Sequence, residues 1–161
     1  MTAAPATTAA EQVRLLHVIW IAFFLAVGLY TPVPLLLVRD SLDSAAPLQA
    51  GARSGLHFAA LGAAVSSFFA RRWWTNSLLA SLRSATAAPV STDAWARLRA
   101  GCLITWGLSE SVVLLGLASA VVTRRPADVL PLAAAAAVLL YLHRPAAWPV
   151  QALTRAAGEA V

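Results

Sequence analysis

Four apolar runs, parted by polar stretches that carry arginines, set the pattern of the chain. The first, residues 15–38, contains no charged side chain. As a helix it reaches about 36 Å, enough to cross a bilayer core of ~30 Å with some tilt. Thr31-Pro32-Val33-Pro34 near its far end predicts a kink there. The second run, residues 54–70, is stopped by Arg71-Arg72-Trp73-Trp74. It is a short span of roughly 25 Å. The third, residues 100–123, is uncharged except for Glu110, and Thr92-Asp93 supplies an N-cap and an acid for its start. The fourth, residues 129–143, is dominated by Ala133 to Ala137. At about 22 Å it spans only if Asp128 and Arg144 snorkel, the alternative being a tilted or re-entrant segment.

This pattern predicts an all-α integral membrane bundle of four transmembrane helices over residues 13–38, 54–74, 96–123 and 127–144. They form two helical hairpins within a domain of residues 13–145. Residues 1–12, mostly Ala, Thr and Pro, read as a disordered tail, and residues 146–161 as a second, cytoplasmic tail. The segment 77–83 reads either as a surface-lying stretch with its leucines on one side or as a linker. A weak internal repeat pairs Phe68-Phe69-Ala70-Arg71 with Tyr141-Leu142-His143-Arg144, and Ile19-Trp20 with Thr105-Trp106. It fits hairpins related by an axis along the membrane normal, or chance likeness between alanine-rich spans.

Composition sharpens the picture. The chain has 161 residues, 60% hydrophobic and 12% charged, against roughly 25% charged in a soluble domain. The twelve cationic side chains are all arginine. They border the apolar runs instead of forming one basic face, which argues against nucleic acid. Eight lie on the side that holds both termini and the middle loop, four on the other. The positive-inside rule then places both termini in the cytoplasm and the protein in the inner (plasma) membrane. Trp73, Trp74 and Trp95, with Arg71 and Arg72, mark the cytoplasmic interface. Gly55, Ala59, Ala63 and Ser67 recur every fourth residue as a small-residue stripe for helix packing. A single cysteine excludes a disulfide framework and a multi-cysteine metal site.

Glu110 is the one acid inside a span. It sits near mid-membrane, where an ionised carboxylate costs several kcal/mol, about 3 on insertion scales. Protonation or a partner must satisfy it. Ser109 and Ser111 flank it. His57, about one turn from the matching depth on the second helix, either shares a proton with Glu110 or caps the outer interface near Arg53. His17 and His143, both near the cytoplasmic edge, raise the idea of a haem held between two histidines. No nucleophile–base set, nucleotide loop or metal motif points to an enzyme.

Glu110, followed by Gly116-Leu117 and Ala120 in a cytoplasm-to-outside helix, resembles the carboxylate helix of the proteolipid subunit c family of rotary ATP synthases. The small-residue stripe of the second helix is similar in kind to that family's partner helix. The resemblance covers about twenty residues well and another twenty loosely. It implies that Glu110 binds a proton or a sodium ion, with Ser111 as a sodium-type hydroxyl, inside a homo-oligomer or larger set of membrane subunits. The chain departs from the family in lacking its alternating-glycine run, its Gln and its short polar loop, and in adding two spans. A non-catalytic accessory subunit, with Glu110 a protonated packing residue, is the competing expectation. No cofactor is expected beyond the ion, and the bilayer is the expected surroundings.

Overall fold

The computed structural model describes residues 8–37, 47–84 and 92–145. The expected C-terminal tail and residues 1–7 of the N-terminal tail lie outside the described residues. The fold is all-helical, with no strand among the described residues.

Helix α1 (Ala9–Tyr30) starts earlier than the composition suggested. Thr8 and Glu11 form a capping box: the Thr8 hydroxyl accepts from the Glu11 N–H, and the Glu11 carboxylate accepts from the Thr8 N–H at 2.9 Å. Residues 9–12, expected in the tail, are therefore helical, and Ala9, Gln12 and Leu16 are buried. At Thr31 the hydroxyl and the N–H both turn back to the Val27 carbonyl, and Pro32 opens the short α2 (Pro32–Leu37). Thr31 keeps right-handed helical backbone angles, and the boundary between α1 and α2 falls at the Thr-Pro-Val-Pro sequence.

Helix α3 (Pro47–Ser84) is one continuous rod of 38 residues. Residues 77–83 extend it and form neither a linker nor a separate surface helix. Its length of about 57 Å is nearly twice a bilayer core. Helix α4 (Thr92–Thr123) is central: it packs against α3 along most of its length, and also against α1 and α5. Gly101 lets the Trp74 ring lie on the α4 backbone, while Gly116 lets α5 (Val129–Leu142) approach at Leu132. α4 ends with Arg124 in the left-handed region at φ 53°, and the Arg125 N–H closes back on the Ala120 carbonyl at 3.1 Å. A 3₁₀ turn (Pro126–Asp128) then starts α5. α5 is a single uninterrupted helix antiparallel to α4.

The small-residue stripe of α3 is only partly a packing face. Ser67 is buried and Ala63 half-buried, but Gly55 and Ala59 are exposed, and a Cβ added at Gly55 would meet open space. Ala60, Ser67 and Leu78 are buried on α3 among the residues whose side chains are described. The outer surface is apolar as well: Phe58, Leu61, Phe69, Leu25, Leu29 and Val138 all face out. Two helical runs, Ala9–Leu36 and Asp93–Thr123, are long and apolar enough to cross a membrane. α3, with polar residues in its middle, and the short α5 do not meet that measure on their own.

Candidate functional site

Three polar places are built into this apolar bundle. The first is Glu110, half-buried in α4. Its neighbours are turned inward: the Ser109 hydroxyl donates to the Thr105 carbonyl at 2.9 Å and the Ser111 hydroxyl to the Leu108 carbonyl at 2.7 Å. Such back-bonding satisfies serines inside a helix. The Glu110 carboxyl itself makes no hydrogen bond or ion pair among the described residues. Leu103 and Gly107 lie seven and three residues before it and Leu114 four after it, so they share its face. Leu103 and Leu114 are exposed, and no atom lies within 4 Å of a Cβ added at Gly107.

His57 does not join Glu110. Trp74 lies against Gly101 and Thr105, and Arg53 reaches Asp128 beside Thr123, which fixes the α3–α4 register. In that register His57 is level with residues 117–119, about two helical turns outward of Glu110. Its ring bonds the Arg53 carbonyl through Nδ1 at 2.8 Å. Of the two expectations for His57, the placement near Arg53 is the one observed. Ser111 stays beside Glu110, but its proton is given to its own helix.

The second place is the C-terminal end of α5. A helix leaves its last four carbonyls without helical partners, and in an apolar setting each needs a donor. Here three other helices supply them. Trp20 Nε1 of α1 donates to the Leu140 carbonyl at 2.8 Å, and Trp106 Nε1 of α4 to the His143 carbonyl at 2.9 Å. The Arg71 guanidinium of α3 donates to the Leu142 carbonyl. Arg71 also lies 2.8 Å from Nδ1 of the buried His143. A guanidinium has no acceptor, so Nδ1 must accept, and the imidazole is neutral. The Ser67 hydroxyl donates to the Ala64 carbonyl at 2.7 Å, so it accepts from His143 Nε2–H at 3.3 Å. Phe68 packs its edge on the ring. Both ring nitrogens of His143 are thus engaged, and His17 bonds the Val13 carbonyl through Nδ1. This arrangement offers iron no free nitrogen on His143. Sequence reasoning placed Arg71 and His143 at the interface but did not pair them. Their only shared signal was position, each near the C-terminal end of an apolar run.

The third place is the opposite end. Arg53 Nη2 of α3 pairs with Asp128 Oδ1 at 2.8 Å. Thr123 of α4 shares its hydroxyl proton between Asp128 Oδ2 at 3.0 Å and the Ser119 carbonyl at 2.8 Å. Asp128 is buried, and α3, α4 and α5 are tied at one point. Beside it opens a cleft of about 420 Å³ lined by Arg53, Ser54, His57, Phe58 and Leu61.

Of the expected interface residues, Trp73 and Arg72 are exposed and Arg71 is half-buried in the α5 cap. Trp74 and Trp95 serve packing: Trp95 is buried, and Trp74 donates to Thr105 Oγ1 at 3.0 Å. Among the described residues, no group of three or more His, Cys, Asp or Glu could hold a metal ion. No family model, curated protein or solved structure matches the chain.

Proposed function

We propose that the chain is a multi-pass inner-membrane protein with four crossings and cytoplasmic termini, whose Glu110 carboxyl takes up and releases a proton, or a sodium ion, within a homo-oligomer or a larger membrane complex. One observation carries this reading. Glu110 is the only acid within an apolar crossing segment, and it has no hydrogen-bond or ion-pair partner among the described residues. An intramembrane acid without an internal partner is by default a site for an ion or for a neighbouring subunit. The surrounding hydroxyls and ring N–H groups, by contrast, are mostly satisfied internally.

The helix directions support the number of crossings. α2 packs on the Pro126–Asp128 turn, while Trp20 reaches the far end of α5, so α1 runs parallel to α4. Two parallel crossings need a return between them, and α3 is the described element that runs back. The apolar outward faces of all four helices suit lipid. In the ionised state Glu110 needs a cation or a polar path; in the protonated state it tolerates the bilayer.

The test is carbodiimide modification in native membranes, read by mass spectrometry of the Glu110 peptide. A protonated carboxyl in an apolar setting gives its proton to the reagent, and its oxygen then adds to the carbodiimide carbon. The reading expects modification that slows as pH rises, and that sodium blocks if sodium is the ion. A Glu110 that is never modified, or one modified equally at every pH, overturns proton exchange. It then leaves the carboxyl as a packing group of an accessory subunit.

A further inference from the structure

The cleft beside Asp128 lies on a different helix from Glu110, and the proton-binding proposal makes no use of it. Its lining changes character along α3. Arg53, Ser54 and His57 form the polar end, level with the close of α4 and the start of α5. Phe58 and Leu61 follow, 74% and 60% exposed. They stand about 8 and 12 Å nearer the middle of the bundle. A cation at the rim and bare apolar side chains below it match the order of parts in a membrane lipid.

The chemistry at the rim has spare capacity. Arg53 is 43% exposed and gives Nη2 to Asp128. A guanidinium carries five N–H donors in a rigid fork, so it can hold a carboxylate and a phosphate at once. The Ser54 hydroxyl has no hydrogen-bond partner among the described residues. A carbonyl can only accept, so the His57 Nδ1–H donates to the Arg53 carbonyl of its own helix. Arg124 and Arg125, exposed at the end of α4, add positive charge on the same side against the buried Asp128.

We propose that the Arg53–Leu61 cleft binds an anionic phospholipid of the leaflet on the Asp128 side, its phosphate on Arg53 and Ser54 and an acyl chain along Phe58 and Leu61. The site rests on the membrane reading but not on any role of Glu110. An occupant there lies across the tie among α3, α4 and α5, so bound lipid also braces the outer end of the bundle.

The full chain, purified in a mild detergent and stripped of lipid, is titrated with phosphatidylglycerol, phosphatidylcholine or inorganic phosphate and read by native mass spectrometry. The expected result is that phosphatidylglycerol is retained in preference to phosphatidylcholine. Arg53→Ala should weaken retention about tenfold, the loss of one charge-assisted contact. Because that variant also breaks the Asp128 pair, Ser54→Ala and Phe58→Ala are run beside it and should each weaken retention with the Arg53–Asp128 tie intact. Equal retention of the two lipids overturns the proposal, as does unchanged retention in both of those variants. Displacement by millimolar inorganic phosphate also overturns it, since the cleft is then a small-anion site. Failure of the membrane reading shows separately, as a chain that alkaline carbonate strips from the membrane fraction.

Discussion

A Cβ added at Gly101 would lie 2.5 Å from Trp74 Cδ2, and the ring cannot step aside without straining its 3.0 Å bond to Thr105. Overpacking of this kind costs about 1–3 kcal/mol, so Gly101→Ala should lower the thermal midpoint measured in detergent. Gly55→Ala is the matched control. Its new Cβ meets nothing, and the helix propensity of alanine should raise stability by up to about 1 kcal/mol. A Gly55→Ala loss as large as that of Gly101→Ala would put a partner helix on the outer face of α3. The pair also shows what was legible in the sequence. A four-residue stripe drifts about 40° per step around an α-helix, so Gly55 and Ser67 end on different faces. Small residues at that spacing announce a close approach without saying which of them makes it. Gly101, flanked by no periodic signal, makes the closest one.

Helix α5, at 14 residues, depends on its neighbours for the cap on its C-terminal end. Trp20, Arg71 and Trp106 come from three helices to reach three successive parts of that end. Trp106→Phe keeps an aromatic ring, though a smaller one, and removes the N–H. The His143 carbonyl is then left buried and unpaired, at a cost of about 1–3 kcal/mol. Amide exchange should quicken over the last turn of α5, while the α3–α4 contact around Trp74 stays protected. Uniform acceleration through all helices would mean that α5 is not a separately held element. The apolar run of α5 was readable, and its length raised the right question, whether so short a segment spans alone. The answer lay in donors more than thirty residues away, Trp106 the nearest of them, and no local pattern encodes a pairing between distant positions. α1 gave the opposite case. Its start was written locally, as Thr8 with Glu11, and was obscured by the alanine-rich composition around it.

At the scale of the whole molecule, the exterior decides what medium the bundle belongs in. Apolar side chains face outward on α1, α3, α4 and α5, and apart from Glu110 polar groups gather around Asp128 and around His143. From Arg53 to Trp73 along α3 is about 30 Å, the thickness of a hydrocarbon core. In the proposed four-crossing arrangement the rest of α3 and the first turns of α4 continue beyond that layer on the arginine-rich side. Leu78, Trp95 and Leu98 are buried there, so the extension is packed. Such a placement makes α3 the informative helix, because composition leaves it undecided while connectivity asks it to cross. With Cys102 changed to Ser, the chain has no other thiol, and single cysteines can replace Ala52 and Asn76, both exposed on α3. A membrane-impermeant maleimide should label the Ala52 position in intact cells and the Asn76 position only after permeabilisation. The side of first labelling also tests the arginine count, since the positive-inside rule places Asn76 in the cytoplasm. Labelling of both positions from one side would mean that α3 does not cross. α1 and α4 could not then both cross in parallel, and the four-crossing reading would fall with them.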